Sequence, residues 1–292
     1  MKAGGGLVFG VPRAAALPTL FLRRRRSTFR CCSSSSSSSS SSDHVSFIKD
    51  VAAAQPPEHL HHLLKMLQVR GESIISPAMK QRMIPLAIPL SKNNLGSVTA
   101  LLRWPTAPPG MEMPVVEVRS YGVWLLAKTV GLFPDILECK VMNHFKKGDH
   151  VSAMVTGEFY TKKDHFPGFG RPFVFNAEVL LKVGRNPEAK DAARGALKSP
   201  WWTLGCPYQE VAEIAEWDDE QIEFIKEKVS EEGKQEDLMK GKDAAQISLD
   251  EAAFLLDLAS IEGTWDEKLD RIAECYLEAG LPEIAKFVKY AD

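Results

Sequence analysis

Ile84-Pro85-Leu86-Ala87-Ile88-Pro89-Leu90, followed after Lys92-Asn93-Asn94 by Ser97-Val98-Thr99-Ala100-Leu101-Leu102-Arg103-Trp104, is where the chain changes its period. Both runs are apolar, short and bounded by turn-forming residues, so they read as two strands, with the Lys-Asn-Asn step turning the chain back between them. Downstream, 114–119, 151–160 and 172–183 read as further extended segments. In 151–160, Val151, Ala153, Val155 and Phe159 alternate with Ser152, Met154, Thr156 and Glu158. That alternation predicts a strand with one packed face and one wet face. Phe173, Phe175, Ala177, Val179, Leu181 and Val183 repeat it. The Gly- and Pro-rich stretch 162–171 would then close a long-looped antiparallel hairpin. Residues 125–133 and 135–145 are expected to be helical.

Working outward, the segments 45–54 and 58–69 predict two short helices separated by Pro56-Pro57. Leu60, Leu63, Leu64 and Leu67 form an apolar stripe on the second helix. Beyond Asn186-Pro187 the pattern is helical. Asp218 with Gln221, Ser248 with Glu251, and Thr264 with Glu267 have capping-box spacing. Trp265, Leu269, Ile272 and Tyr276 form another stripe, Gly280 suits a left-handed stop, and Pro282 opens a last helix. The stretch 272–285 resembles the joint of a tetratricopeptide repeat, but no matching unit lies upstream, so it reads as one helical hairpin. The charged stretch 226–242 reads as a solvated helix end and linker. The expected fold is α+β, an antiparallel sheet with flanking helices followed by an all-α C-terminal helical domain. Its expected divisions are 1–42, 43–80, 81–199 and 200–292.

Residues 1–42 contain no Asp or Glu but carry Lys2, Arg13, Arg23, Arg24, Arg25, Arg26 and Arg30, and end in an unbroken serine run from Ser33 to Ser42. This is the composition of a transit peptide, and the serine run is expected to be disordered. Pro12, Arg13 and Pro18 break the apolar stretch that a secretory signal would need. The Gly4-Gly5-Gly6 opening and the serines point to the chloroplast stroma, with the mitochondrial matrix as the alternative. With the chain at −2 overall, setting those seven cations aside leaves residues 43–292 at −9. An acidic body argues against a phosphate-backbone binder. The longest apolar run, 121–133, is too short to span a bilayer and is interrupted by Lys128.

Most catalytic and cofactor motifs are missing. No phosphate loop, nucleophile elbow, zinc-protease helix or calcium loop occurs, and Gly168-Phe169-Gly170 reads as a turn. Cys139, Cys206 and Cys275 are too far apart in sequence for a zinc framework or a redox pair, and read as buried thiols. His59, His61 and His62 read as a solvated helix face. No catalytic, cofactor-binding or metal-binding residue is assigned, and no cofactor is expected. An enzyme reading survives only as a constellation of His150, Glu158, Asp164 and His165 near the 150–171 hairpin. It requires a pocket with converging polar groups there.

The remaining signal is for partner binding. Phe166, Phe169 and Arg171, with the bases of the 162–171 loop, could grip a protein or stack on RNA, and Trp201-Trp202 could form a second anchor. The acidic body favours a protein partner; an RNA-associated plastid factor is the alternative, and it would show salt-sensitive retention of RNA.

Pro200-Trp201-Trp202-Thr203-Leu204-Gly205 and the helical end after Trp217 resemble the plant family known as Protein in Chloroplast ATPase Biogenesis, over roughly 80–292. The resemblance implies a stromal auxiliary factor that assists assembly of the ATP synthase catalytic head. It also implies binding to an unassembled subunit, gamma above all, alongside the stromal chaperonin. It implies no catalytic or cofactor residues.

Overall fold

The computed structural model describes residues 37–107, 111–127, 133–162 and 165–290. At its centre is a five-stranded antiparallel sheet in which every strand neighbours the next in sequence. The strands are β1 (Ser73–Ile74), β2 (Ala87–Lys92), β3 (Val98–Leu102), β4 (Val115–Arg119) and β5 (Gly122–Ala127). The β2–β3 turn is built as expected: the Asn93 side-chain oxygen accepts from the amides of Leu95 and Ser97 at 2.9 and 3.0 Å. The β4–β5 turn requires Gly122, whose φ is +142° and whose missing Cβ would lie 2.2 Å from the Trp202 carbonyl oxygen.

The sheet is covered on both faces, which explains why β2 is buried along nearly its whole length rather than on alternate residues. Ile88, Leu90 and Leu101 face α1 (Ser37–Asp50) and α2 (Leu60–Val69), packing with Phe47, Ile48, Leu60, Leu64, Leu67 and Phe287. Ala87, Ala100, Leu102, Val116, Val123 and Leu125 belong to the opposite cluster, together with Tyr160, Phe175, Trp202, Leu256 and Tyr276. Two polar clips set the register. The buried Glu72 accepts from Ser91 at 2.6 Å and from Thr99 at 3.3 Å, and the His44 ring bonds the Pro89 carbonyl at 3.1 Å.

The helices that follow are α3 (Pro134–Lys146), α4 (His150–Tyr160), α5 (Arg171–Lys182) and α6 (Asn186–Ala196). A short 3-10 turn (Trp201–Thr203) leads to α7 (Tyr208–Ala215), α8 (Asp219–Lys228) and α9 (Glu231–Met239). The chain ends with α10 (Ala244–Glu262), α11 (Trp265–Glu278) and α12 (Pro282–Val288). Gly280 at φ +76° and the Leu281 amide donating to the Tyr276 carbonyl at 2.8 Å close α11, so that α11 and α12 form the expected hairpin. Phe175 and Trp202, on either side of residue 200, belong to one buried cluster, and residues 36–292 form one compact unit.

The α+β class stands, but several elements differ from expectation. The segments 151–160 and 172–183 are helices, so no β-hairpin closes through 162–171. In α4 the buried residues are Ala153, Thr156, Gly157 and Tyr160, a three-one-three spacing that only a helix produces. The Asp149 side chain caps it by accepting from the Ser152 amide at 3.0 Å. Pro172 sits in the first turn of α5, where a missing N–H costs nothing. Residues 125–127, expected to begin a helix, finish β5, while 128–132 lie outside the described residues. Ser37–Ser42, within the run expected to be disordered, begin α1. Once buried Phe47 and Ile48 fix that helix, each further turn residue needs only its own backbone bond. The stretch 226–242 is largely α8 and α9 rather than linker. Ser248 and Glu251 lie inside α10, not at its start, so they cap nothing there.

Candidate functional site

Because α4 buries only one stripe, its opposite face is left uncovered among the described residues. Val151, Val155 and Phe159 recur every four residues along it and are 67, 61 and 41 % exposed. Its partner α3 adds exposed Ile136 and, more marginally, Met142, with the Cys139 thiol also exposed. Apolar side chains in such a row on a helix are unusual for a surface with nothing to bind.

Beneath this face lies a rigid polar brace. Arg171 grips Glu138 of α3 with two parallel bonds of 2.9 and 2.8 Å and Glu178 of α5 with one of 2.7 Å. Its guanidinium also stacks over the Trp124 ring of β5 at 4.7 Å. Burial alone would lower its pKa, yet the bonds and charges of Glu138 and then Glu178 hold it above the ordinary arginine value. Tyr160 completes the brace by donating to Glu138 at 3.4 Å, and its phenol is pushed upward by burial and by the Glu138 charge. The brace therefore fixes α3, α4, α5 and the sheet edge as one frame.

All five expected anchors lie in the interior. Phe166 and Phe169 are buried, with Phe169 edge-on to Trp104 at 5.8 Å and Phe166 edge-on to Tyr160 at 5.2 Å. Trp202 packs on Trp104 at 5.1 Å, and Trp201 packs on Tyr208 at 4.5 Å while donating its indole N–H to the Leu197 carbonyl. Arg171 is the centre of the brace. The fold brings Phe166, Phe169 and Trp202 into one cluster and Trp201 into a second, and gives a partner access to none of them. The exposed row was legible in principle. Gly148-Asp149 followed by Ser152 marks a helix start, after which Val151, Val155 and Phe159 fall on one face.

Among the described residues, the constellation proposed for an enzyme is not assembled. His150 and Glu158 sit near opposite ends of α4, about 12 Å apart along its axis. His150 packs edge-on to Phe145, His165 bonds the Phe159 carbonyl at 3.1 Å, and Asp164 lies outside the described residues. A cavity of ≈ 220 Å³ next to them is walled by Tyr160, Phe166, Phe169 and Phe173 and, among the described residues, is lined by no histidine or carboxylate. Burial first, with neighbouring acids, pushes the Cys206 and Cys275 thiols up to about 12, far from a reactive thiolate. Cys275 lies near Glu251 and Glu278, but those carboxylates are held by Arg271, with Lys234 also on Glu251.

Comparison with known proteins identifies the family. Residues 42–157 match the PAB N-terminal domain, 134–218 the PAB middle domain and 222–291 the PAB C-terminal domain. The chain belongs to the PAB family. It is 62 % identical to an Arabidopsis thaliana protein named Protein IN CHLOROPLAST ATPASE BIOGENESIS, chloroplastic, over 85 % of this chain and 91 % of that one. The resemblance seen in the Trp201-Trp202 segment is thus a relationship along most of the chain, and the chain is a chloroplast protein. No solved structure matches it significantly. No helix among the described residues is long and apolar enough to cross a membrane.

Proposed function

We propose that this chain is a stromal auxiliary factor of chloroplast ATPase biogenesis, holding unassembled catalytic-head subunits of the ATP synthase, gamma first among them, until their partners arrive. The observation that carries the reading is the uncovered Val151, Val155 and Phe159 row on a helix that is otherwise firmly braced. The name of the Arabidopsis relative supports the process, and the acidic body supports a protein over RNA as the ligand.

The physical mechanism is cover rather than chemistry. An orphan subunit displays apolar surface that its neighbour will later bury, and the α4 face shields it. Full burial of a Val or Phe side chain contributes about 1.5–3 kcal/mol, so completing the burial of three partly exposed ones contributes about 3–4 kcal/mol. By itself that corresponds to a dissociation constant of about 1 mM, so the row is the centre of a wider contact, loose enough to release the subunit to a larger permanent interface or to the stromal chaperonin. No reaction step by this chain is required.

Calorimetric titration of purified gamma subunit with the full chain tests the reading. Saturable binding is expected, weakened by about tenfold or more in a Val151→Ser, Val155→Ser, Phe159→Ser variant. Binding that the triple substitution leaves unchanged, or salt-sensitive retention of RNA with no gamma binding, overturns it.

A further inference from the structure

On another side of the molecule, the segment 75–85 and the β2–β3 turn meet α11 and the end of α12 around a cavity of ≈ 590 Å³. That volume is within the ordinary range for small-molecule sites. Met79, Met83, Val98, Leu269 and Val288 provide apolar walls. The titratable groups facing it are Lys80, Arg82, Lys92, Asp266 and Tyr290.

Lys80 is the anomaly. It is only 8 % exposed, its Nζ donates to the Phe287 carbonyl at 2.7 Å and lies 3.6 Å above the Phe287 ring, and among the described residues no carboxylate pairs with it. A buried ammonium held by one carbonyl has donor capacity left over and no counter-charge. Arg82 and Lys92 stand exposed at the rim, also without an ion pair among the described residues. Asp266, the one acid of the lining, is engaged with the backbone: it accepts from the Arg82 amide at 3.2 Å. Arg82 there has a φ of +58°, a conformation that non-glycine residues rarely adopt.

We propose that this cavity binds a small carboxylate carrying an apolar body, with the carboxylate on Lys80 and the rim cations and the body against the methionine, leucine and valine walls. A single buried ammonium with apolar walls suits a monoanion better than a phosphate dianion, which needs a nest of amides and several cations to replace its water. Burial also presses the Lys80 amine down to about 7, so an arriving anion restores its charge and binding takes up a proton above that pH. Affinity therefore falls as the pH rises through about 7.

The test titrates the full chain with octanoate, using 1-octanol and inorganic phosphate as comparison probes. Octanoate is expected to saturate one site, bind about tenfold more tightly than either other probe, and weaken several-fold between about pH 6 and about pH 8. Lys80→Met is expected to remove most of this affinity and its pH dependence. The exposed Arg82→Ala, which leaves the core intact, is expected to weaken octanoate several-fold. The proposal is overturned if octanol or phosphate binds as well as octanoate, if octanoate does not saturate, or if Arg82→Ala and a folded Lys80→Met leave its affinity unchanged.

Discussion

Phe159 and Phe166 are seven residues apart, yet one is 41 % exposed and the other 4 %. The same residue type, next to the same helix, has been sorted into opposite roles by what surrounds it. The connection from α4 to α5 must pass over the core those helices share, so its aromatic rings are drawn inward. The Gly170 amide bonds the Thr203 hydroxyl at 2.9 Å, tying the connection to the Trp201–Thr203 turn. Among the described residues no helix or strand covers the outer face of α4, so its valines stay largely in water and Phe159 is shared between water and the Lys162 and His165 side chains. Aromatic residues in a glycine-rich stretch therefore mark a brace here, and a plain row of aliphatic residues marks the surface open to a partner.

The sharpest way to break that contrast is to cut into the brace. Trp202→Ala removes a buried ring packed on Trp104, and is expected to destabilise by about 3–5 kcal/mol. Chemical denaturation measures it, and a loss below about 1 kcal/mol would mean the aromatic cluster is not structural. Arg171→Ala comes next. It strands Glu138 and Glu178 in a mostly buried setting, at an expected cost of about 3 kcal/mol. Arg171→Lys should recover only part of this, because an ammonium cannot make the two parallel bonds to Glu138.

A pH experiment sharpens the same comparison. Asp257 of α10 is partly buried and accepts from the Trp201 amide at 2.6 Å, fastening the 3-10 turn to the helical end. Burial pushes its pKa well up, against the pull of the Trp201 and Trp202 amides. The folded state therefore holds the Asp257 proton more firmly than the unfolded chain does. Its contribution is fully present below the ordinary carboxylate range and is lost as the pH rises through the raised folded value. Asp257→Asn cannot ionise, so its stability relative to the parent should improve as the pH rises through that window. Urea midpoints of the two proteins across the acid range measure the difference, and parallel curves would show that Asp257 titrates normally.

The part of the fold that sequence made legible is the part whose local signals agree with its tertiary setting. β2 and β3 carry strand-forming side chains, an Asn turn and covered faces all at once, and Gly280 with Pro282 marks a helix stop that the backbone then makes. The helices α4 and α5 were hidden because Val151, Val155, Thr156, Val174 and Val179 favour strands locally, while the burial period that overrides them depends on Tyr160 and Phe175 meeting across the core. The five expected anchors turned inward for a related reason. Side-chain type says how much area a residue can bury, but only the packing of α3, α4 and α5 says which residues have already buried it. Lys80 carried no sequence signal, since its cavity is closed by Asp266 and Leu269 of α11 and by Val288, all far along the chain.

The smallest expected change in stability belongs to the exposed row. Val155→Ser removes a side chain that water already reaches and should move the unfolding free energy by no more than about 0.5 kcal/mol, while Phe159→Ser, which gives up a half-covered ring lying against Lys162 and His165, should cost about 1 kcal/mol. Their effect should appear in partner binding instead, which is the reverse of Trp202→Ala, whose folded fraction should keep the α4 face and bind normally. Measuring denaturant midpoints and gamma-subunit affinity on the same preparations separates the two roles. If Phe159→Ser proved as damaging to stability as Trp202→Ala, the row would be part of the core after all, and the division between brace and face would disappear. If it spared stability and affinity alike, the face would remain uncovered but would not be the surface that holds the subunit.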